Sequence, residues 1–482
     1  MRSLANFIDG RFVPPLTGEY LDSFNPATGL VHLKVPSSDA RDVNDAVAAA
    51  RRAFASWAAT PDAERARLLL AIADGIDARK EELARAESED QGKPVWLAAS
   101  MDISRAAHNF RFFAGALLHC EDESTRMGDG ISNSVTRKPV GIAALIAPWN
   151  LPLYLLSWKI APAIAFGNCA ICKPSEITSL TAFHLCEIMQ KAGLPNGVVN
   201  MVFGDGPRVG QSLVGHPDVP LVSFTGGTAT GRTIALQAAP LFKKLSLELG
   251  GKNPNIVFDD ADLDKTLETT VRSSFLNQGE ICLCGSRIYV QKKIYEAFLA
   301  RFVLKVRELK VGDPSDPTTF IGPLASREHL EKVLSFIKLA REEKAEIQCG
   351  GEAVVFSGPL EKGYFMKPTV LTNVKQSSRI QQEEIFGPVV TVTPFDSDAE
   401  GIALANDIKY GLSASVWTRD LHRAHWAAEQ LEVGTVWVNN WLTRDLRMPF
   451  GGVKASGLGR EGQHGSREFF TEAKTICIKY GD

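Results

Sequence analysis

The sequence predicts an α/β fold with a doubly wound, Rossmann-like sheet, a second α/β unit and a small β extension. The first observation is that short apolar runs alternate with helical patterns from residue 138 onward, which is typical of βαβ units and a parallel sheet. The second is a further alternation of this kind from residue 253 to about residue 437. The third is length, because 482 residues exceed what one hydrophobic core usually supports.

Strands and helices of the first unit follow from these patterns. The strand predictions are residues 141–147, 168–173, 198–203, 221–224 and 244–249, and the helix predictions are residues 152–165, 180–192, 208–214 and 230–239. Ligands of such sheets bind beyond the carboxyl ends of the strands. Proline- and glycine-containing polar segments follow three of these strands, at 147–150, 173–176 and 224–227, so we expect the functional site there.

Other elements lie outside this unit. Amphipathic patterns predict helices at 40–58 and 62–91, and the second unit contains a strand at 286–291 followed by a helix at 293–309. Two more segments, 128–137 and 474–480, have the pattern of isolated strands. Unpaired strands often complete a sheet with another subunit; local edge strands are the alternative.

Composition predicts a globular, cytoplasmic protein that binds neither nucleic acid nor membrane. The net charge is −3, without long runs of like charge. The beginning lacks a signal-peptide core, and prolines interrupt the most apolar region. Eight cysteines without regular spacing fit reduced thiols. Cys169 and Cys172 point to opposite faces of a predicted strand, so we expect core packing and no metal site.

Cys282 is the strongest candidate for chemistry. It lies in FLNQGEICLCGSR, a polar turn that contains glycine and precedes a new β-type run. A structural thiol is expected inside an apolar element, whereas a nucleophilic thiol needs access, N–H donors and a base. The turn offers access and donors, so we predict a nucleophile, with a structural thiol as the alternative.

Two glycine-rich segments are candidates for phosphate binding. Residues 224–231, FTGGTATG, follow a strand and open a helix, where free N–H groups and the helix dipole favour phosphate. Residues 204–210 have the spacing G-x-G-x-x-x-G, which differs by one residue from a dinucleotide fingerprint. A plain strand-to-helix turn explains this second segment equally well.

Glu248 and Asn150 are candidates for a general base and an oxyanion donor. Alternating leucines share one face of the strand at 244–249, which leaves Glu248 on the other face, followed by two glycines that let backbone or ligand approach. A solvated glutamate is the alternative. Asn150 lies between two prolines, and its amide can donate to a developing alkoxide; simple turn chemistry is its alternative.

These segments together resemble the aldehyde dehydrogenase superfamily. Six or more motifs match in the family's order over essentially the full length, which makes chance a negligible explanation. The motifs are PWN (148–150), KPSE (173–176), FTGG…G (224–231), LELGGKNP (247–254), NQGEIC (277–282), EEIFGPV (383–389) and PFGGVKASG (449–457). The resemblance implies an NAD-binding domain at 1–120 and 138–248 that also receives 449–465, a catalytic domain at 249–437, and oligomerisation strands at 121–137 and 466–482.

The resemblance also implies a mechanism. Cys282 attacks the aldehyde, and the Asn150 amide and the Cys282 backbone N–H hold the oxyanion of the thiohemiacetal. Hydride transfer leaves a thioester, and Glu248 activates water to release the acid. CoA-acylating members lack a glutamate at this motif position, so we expect hydrolysis to a free carboxylic acid.

NAD is the cofactor that the resemblance implies. Lys173 and Glu176 resemble the pair that holds the adenosine ribose hydroxyls, and a carboxylate there disfavours the 2′-phosphate of NADP. Glu384 resembles the partner of the nicotinamide ribose, and Phe386 the residue beside the nicotinamide. Further expected cofactor contacts are Trp149, Gly226, Gly231 and Leu249. The family's usual serine after FTG is Gly227 here, which leaves the pyrophosphate to N–H groups.

Arginines near the expected channel suggest an anionic substrate, because guanidinium groups bind carboxylates in a bidentate way. Their segments, MDISRAAHNFRFFAG and WLTRDLRMPFGG, resemble the subgroup of 2-aminomuconate and 2-hydroxymuconate semialdehyde dehydrogenases, most of all its animal type, which acts in tryptophan breakdown by the kynurenine route. We assign Arg105 and Arg444 to the substrate carboxylate, with Arg111 and Arg447 as reserves. The alternative is that Arg444 and Arg447 are surface residues paired with Asp445 or neighbours.

Three hypotheses for the function therefore follow from the sequence. The first is an NAD-dependent dehydrogenase for a carboxylate-bearing semialdehyde. The second is a dehydrogenase for retinal or another apolar aldehyde, for which Arg105 and Arg444 would be spectators. The third is a non-catalytic, crystallin-like protein, which need not keep Cys282, Asn150 and Glu248. The family leads us to expect a homodimer or a homotetramer.

Overall fold

Two large sheets form the framework of the computed structural model, which describes residues 2–480. The strands of these residues, β1 to β25, are Arg2–Ser3, Asn6–Ile8, Arg11–Val13, Tyr20–Asn25, Leu30–Pro36, Ser124–Met127, Ile131–Pro139, Ile142–Ile146, Cys169–Lys173, Val199–Met201, Leu221–Thr225, Lys244–Glu248, Pro254–Val257, Arg287–Gln291, Glu346–Cys349, Ala353–Val354, Phe365–Met366, Thr369–Thr372, Val389–Phe395, Tyr410–Gly411, Ser413–Trp417, Thr435–Val438, Val453–Lys454, Gly457–Leu458 and Thr471–Lys479. The helices of the same residues, α1 to α16, are Ala40–Ala58, Asp62–Ala78, Lys80–Gln91, Val95–Leu97, Ser104–Leu118, Pro152–Ala165, Leu180–Lys191, Gln211–Gly215, Thr228–Ala238, Leu263–Phe275, Lys292–Arg307, Arg327–Glu342, Arg379–Gln382, Asp398–Asn406, Leu421–Gln430 and Gln463–Phe470.

The first sheet has eight strands in the order β24-β12-β11-β8-β9-β10-β2-β3. The five strands from β12 to β10 in this order run parallel, and they confirm the five strands predicted for the first unit. β9 reads CAICK and is buried at every residue, as parallel strands covered on both faces usually are. Cys169 and Cys172 are free thiols in this core, which confirms core packing.

The second sheet has seven strands in the order β15-β18-β19-β14-β13-β21-β22. Its strands pair in parallel except β15, which pairs with β18 antiparallel. The strand predicted at 286–291 is β14, and the helix predicted after it is α11. The α/β fold class is therefore confirmed for both units.

The structure corrects two predictions about single elements. The helix predicted at 62–91 is broken at Arg79, where the backbone leaves the helical region (φ −113°, ψ 20°), so that α2 and α3 are separate helices. The helix predicted at 208–214 begins earlier, as a π-helical turn at Gly206–Gly210 that continues into α8. Neither change alters the order of the strands.

A third correction concerns the two strands predicted to be isolated. They are β7 and β25, and they pair with each other antiparallel, from Ile131 opposite Lys479 to Pro139 opposite Thr471. With β6 they form a separate sheet in which β25 is an edge strand. Their pairing joins segments more than 300 residues apart, and no local sequence pattern identifies a partner at that distance.

Across residues 2–480, no helix combines the length and the apolar character that crossing a membrane requires.

The strand ends place the candidate residues together. Because β8, β9, β11 and β12 run parallel, the segments that follow them meet at one edge of the first sheet. Asn150 follows β8, and α6 begins two residues later with Pro152 in its first turn, where a proline is readily accepted. Glu248 is the last residue of β12. The second sheet contributes Cys282, on the loop between α10 and β14.

Candidate active site

A left-handed turn presents Cys282 to this edge. Asn277, Gln278 and Gly279 all have positive φ angles, of 53°, 57° and 74°, a conformation that costs free energy in residues other than glycine. Hydrogen bonds offset this cost, because the Asn277 amide donates to the carbonyls of Asn150 (3.1 Å) and Glu280 (3.2 Å). The turn ends α10 abruptly and fixes the path of the chain toward Cys282.

Cys282 is half-buried and lines a cavity of about 250 Å³. Its carbonyl accepts a hydrogen bond of 2.7 Å from the Asn253 amide, and its own backbone N–H has no acceptor among residues 2–480. Burial raises the pKa of the thiol strongly, and the carboxylates of Glu384 and Glu248 raise it further. The free N–H is available to an oxyanion, while the thiol needs a base or a bound cation to become a thiolate.

Asn150 is held beside Cys282 by its neighbours. Its amide nitrogen donates to the Glu280 carbonyl at 2.8 Å, which uses one of the two N–H groups and leaves the second for a ligand. Its carbonyl accepts from Lys93 at 3.1 Å. The Lys93 bond is to the backbone carbonyl, so one hydrogen bond holds the backbone of Asn150 and another directs its side-chain amide, as an oxyanion donor needs.

Glu248 is buried at the end of β12, where one of its carboxylate oxygens has no hydrogen-bond partner among the described residues. Burial raises its pKa well above the ordinary value, and Glu461 adds to this effect. A Cβ atom at Gly451 would lie 2.8 Å from the Glu248 carboxylate, so a glycine is needed beside it. A carboxyl group with a raised pKa is suited to accept a proton at neutral pH.

The two glycines after Glu248 allow close approach, as expected. A Cβ atom at Gly250 would lie 2.2 Å from the Glu384 carboxylate, and one at Gly251 would lie 2.8 Å from the Cys282 carbonyl. The Gly251 N–H donates to Glu384 at 2.8 Å. Glu384 and Leu249 line the same cavity as Cys282.

A second cavity, of about 510 Å³, extends from the first along the sheet edge. Trp149 and Gly226 line both cavities. Lys173 and Glu176 line the second and are joined by a 3.2 Å ion pair. Bare backbone at Gly226, where a Cβ atom would meet the Phe224 ring at 2.5 Å, and the N-terminus of α9 suit a pyrophosphate. These residues fit an extended dinucleotide.

The two glycine-rich segments differ in their contribution. Gly206 and Gly210 line the second cavity, so the weaker motif does contribute to this site. Gly231 lines neither cavity: a Cβ atom there would meet the Leu249 side chain at 2.5 Å, which places Gly231 beneath the cleft. Gly227 has open space around it.

Three aromatic rings, those of Trp149, His329 and Phe386, line the first cavity, and Trp149 also lines the second. Trp149 lies 5.0 Å from His329 and 5.3 Å from Phe386, both edge to face. Nε2 of His329 donates to the Phe386 carbonyl at 2.6 Å, and Phe386 has a positive φ of 62°. Burial lowers the pKa of His329 to about 4. No motif identifies His329, because its role depends on neighbours far away in sequence.

A buried ionic cluster behind Asn150 is also invisible to motif reasoning. Lys93 and Asp102 are fully buried and form an ion pair of 2.7 Å. Gln91 donates to the Glu280 carboxyl at 2.6 Å, and burial raises the pKa of Glu280 well above the ordinary value. From sequence alone, the charged residues of the segment EDQGKP are expected to be exposed to solvent. Their buried contacts in the structure place them behind the loop that precedes Cys282.

Arg105 and Arg444 come together without a carboxylate. Arg105 lies over the Tyr154 ring at 5.3 Å, and Arg444 lies over the Phe450 ring at 3.7 Å. Neither forms an ion pair with any residue of the described chain. Burial lowers the pKa of Arg105, and the charge of Arg444 lowers it further. Arg444 also partly offsets the raised pKa of Cys282, so its charge reaches the nucleophile.

The two reserve arginines are neutralised by other partners. Arg111 pairs with Asp74 at 2.7 Å and with Asp77 at 2.5 Å. Arg447 is exposed and pairs with Asp445 at 2.5 Å. Arg447 therefore lies on the surface paired with Asp445, whereas Arg444 is partly buried and forms no ion pair among the described residues. Sequence spacing alone did not distinguish the paired arginines from the unpaired ones, because folding could bring an acidic residue into contact with any of them.

A family model described as the aldehyde dehydrogenase family matches residues 12–476. The chain is 54% identical over 480 residues to a 2-aminomuconic semialdehyde dehydrogenase of Danio rerio, with 99% of this chain and 98% of that protein covered. It is 55% identical over 480 residues to a protein of the same name from Homo sapiens, with the same coverage.

Solved structures match the fold over nearly the whole chain. A putative aldehyde dehydrogenase from Burkholderia cenocepacia superimposes with a TM-score of 0.97 at 43% identity, covering 99% of this chain and 98% of that one. An NAD+ complex of an aldehyde dehydrogenase from Bacillus cereus has a TM-score of 0.97 at 40% identity, covering 100% and 97%.

Proposed function

This chain belongs to the aldehyde dehydrogenase family, and from that premise we propose that it oxidises 2-aminomuconate 6-semialdehyde, or a close carboxylate-bearing semialdehyde, to the acid with NAD. The observation that carries the choice of substrate is the convergence of Arg105 and Arg444 without a carboxylate partner in residues 2–480. Relatives that are 54–56% identical and named 2-aminomuconic semialdehyde dehydrogenase support it. The reaction would belong to tryptophan catabolism by the kynurenine route.

In the proposed mechanism, the Cys282 thiol loses its proton to solvent water and the thiolate attacks the aldehyde carbon. The resulting thiohemiacetal oxyanion accepts hydrogen bonds from the second N–H of the Asn150 amide and from the unpartnered Cys282 backbone N–H. One such donor contributes about 3–4 kcal/mol at the transition state. Bound NAD supplies the hydride acceptor for the conversion to a thioester.

Glu248 then takes a proton from the water that attacks the thioester. Its buried carboxyl group has a raised pKa, which brings it closer to the working pH of a general base. Hydrolysis releases a free carboxylic acid, and CoA takes no part. The thiol of Cys282 is regenerated as the leaving group.

NAD is preferred over NADP in this proposal. Glu176 lines the cavity expected to hold the adenosine ribose and is paired with Lys173 at 3.2 Å. A 2′-phosphate there would meet the carboxylate charge. Trp149, Glu384 and Phe386 would lie along the nicotinamide half, with Gly226 and Leu249 completing the cleft. Gly231 would act indirectly, by packing under Leu249.

We also propose the domain division and assembly. The NAD-binding domain comprises 1–120, 138–248 and 449–465, the catalytic domain 249–437, and the oligomerisation strands 121–137 and 466–482. β25 is an edge strand with apolar residues exposed along it, which supports a homodimer or a homotetramer. The enzyme would be cytoplasmic.

The first experiment compares substrates on one enzyme preparation. We expect kcat/KM for a muconic semialdehyde to exceed that for retinal by a hundredfold or more, about 2.7 kcal/mol at the transition state. Arg105→Ala and Arg444→Ala should remove most of this preference, whereas Arg447→Ala, a matched surface arginine, should leave it intact. A preference for retinal would overturn the proposed substrate, and no turnover of either aldehyde would favour the crystallin-like alternative.

A further inference from the structure

Asn109 is buried on α5, one helical turn after Arg105, and its side-chain oxygen accepts a hydrogen bond of 3.2 Å from the Arg105 Nε. We propose that Asn109 is a specificity-determining positioning residue: it supports Arg105 with a neutral acceptor, so that the guanidinium charge stays free for an anionic aldehyde. This inference rests on the proposed function. It extends the proposed function from the two arginines to Asn109, the residue that leaves Arg105 without a carboxylate partner.

The hydrogen-bond network fixes the orientation of the Asn109 amide. Its nitrogen donates to the Tyr154 carbonyl at 3.2 Å and to the Ser157 hydroxyl at 3.0 Å. The Ser157 hydroxyl itself donates to the Tyr154 carbonyl at 2.8 Å, so its single proton is used and it accepts from Asn109. A flipped amide would place its oxygen against two acceptors, and the oxygen therefore faces Arg105.

Arg105 and Arg444 are both supported by neutral groups. Aromatic faces of Tyr154, Trp158 and Phe450 lie against the two guanidiniums. Such faces stabilise a cation without cancelling its charge. The Nη2 atom of Arg105 is buried and has no acceptor among residues 2–480. A guanidinium with unused donors in a partly desolvated site is prepared for a carboxylate.

Arg111, six residues after Arg105 on the same helix, has charged partners instead of neutral ones. Arg111 forms ion pairs with Asp74 and Asp77 at the surface, and these carboxylates neutralise its charge. An aspartate in place of Asn109 would do the same to Arg105, because it would put a carboxylate where the amide oxygen now accepts at 3.2 Å. The choice of an amide over a carboxylate at this position therefore decides whether Arg105 can recognise an anion.

The test compares Asn109→Asp with Asn109→Leu, which removes the acceptor without adding charge. The probes are 2-hydroxymuconate 6-semialdehyde and hexanal, six-carbon aldehydes with and without a carboxylate. The readout is the ratio of their kcat/KM values, because this ratio cancels the fraction of folded enzyme. We expect Asn109→Asp to lower the ratio about tenfold to hundredfold, the range for one hydrogen-bonded charge, through KM of the charged aldehyde, and Asn109→Leu to lower it less than fivefold.

Arg105→Ala separates the two proposals. If Arg105→Ala lowers the ratio but Asn109→Asp leaves it unchanged, or if both Asn109 variants lower it equally, the role of Asn109 is wrong and the proposed function stands. If Arg105→Ala itself leaves the ratio unchanged, the carboxylate assignment fails first. Asn109→Asp also loses the two hydrogen bonds that the amide nitrogen donates to Tyr154 and Ser157, and the ratio of kcat/KM values stays readable because it reports only on the fraction of the variant that folds.

Discussion

Burial controls the reacting groups at the scale of single residues. It is the largest influence on both Cys282 and Glu248 and raises the pKa of each. Burial therefore favours the neutral form of both side chains over the charged form. In the proposed mechanism charge develops only after substrate and cofactor bind, and the Asn150 amide and the Cys282 N–H are the donors proposed to receive it.

Glu248→Gln should separate the two half-reactions. Attack by Cys282 and formation of the thioester do not need the Glu248 base in the proposed mechanism, so one equivalent of NADH per site should form rapidly. Subsequent turnover should fall about 10²–10⁴-fold, the usual contribution of a general base. Rapid mixing, with mass spectrometry of the acylated Cys282 peptide, measures both steps. Cys282→Ser is the control without a burst, and slow turnover of Glu248→Gln with no acyl enzyme would contradict the assignment.

His329 should make the fold sensitive to acid. Its folded pKa is about 4, against an ordinary value of 6.5, so falling pH protonates the unfolded chain first. Stability through this group is complete above pH 6.5 and is lost between pH 6.5 and 4. Between pH 7.5 and 5 we expect a loss of about 2 kcal/mol in unfolding free energy. His329→Gln keeps a donor for the Phe386 carbonyl and should avoid that loss. Thermal midpoints at both pH values measure this, and equal shifts in the two proteins would argue against it.

At the scale of elements, strand ends decide what can approach the cavity. β12 ends at Glu248 and is followed by two glycines that touch Glu384 and the Cys282 loop. α9 begins after Gly227, where an added Cβ atom would meet nothing within 4 Å. Glycines in equivalent motifs therefore carry different constraints: some make room for a neighbour, and others leave space for a ligand.

Gly250→Ala should weaken NAD binding, because its Cβ atom would lie 2.2 Å from the Glu384 carboxylate and displace it. Loss of one charged hydrogen bond corresponds to about tenfold to hundredfold in affinity. Gly115→Ala is the control, because Gly115 lies on α5 outside the cleft and an added Cβ atom there would meet nothing within 4 Å, so it should change affinity less than twofold. Calorimetric titration with NAD measures both. Equal affinities would mean that Glu384 does not contact the cofactor.

The Lys93–Asp102 pair links several elements behind the oxyanion donor. Lys93 reaches both Asp102 and the Asn150 carbonyl. Lys93→Met should destabilise the fold by about 3–5 kcal/mol, because it leaves a buried carboxylate without its cation. Adding Asp102→Leu should recover part of this loss, since both charges are then absent. Urea unfolding of the three proteins measures it, and a double variant no more stable than the single one would point to Lys93 acting mainly through Asn150.

At the scale of the whole molecule, the site joins the two large sheets, and the sheet of β6, β7 and β25 contributes no residue to it. Asn150 and Glu248 come from the first sheet and Cys282 from a loop of the second, so the proposed reaction requires the two sheets to be docked. β25 is exposed over nearly its whole length. Such an exposed strand is usually covered by another chain.

Ile476→Asp combined with Ile478→Asp should therefore dissociate the assembly. The two residues lie on one face of β25, 38% and 46% exposed, and charges there oppose burial of an apolar surface. Cys477→Asp is the matched control, because its side chain points to the opposite face. Sedimentation velocity measures the mass of each variant. An unchanged mass in the double variant would contradict association through this face.

Sequence alone determined the elements and residues whose signals are local. The strands β8 to β12 follow from apolar runs bounded by turns, and Cys282, Glu248 and Asn150 are candidates because they lie in short motifs that resemble those of the family. Tertiary structure decided what depends on partners distant in the chain. The pairing of β7 with β25, the broken helix at Arg79 and the free charge of Arg105 are examples. Each is fixed by packing, burial and charge pairing between residues that only folding brings into contact, and a one-dimensional pattern contains no record of those contacts.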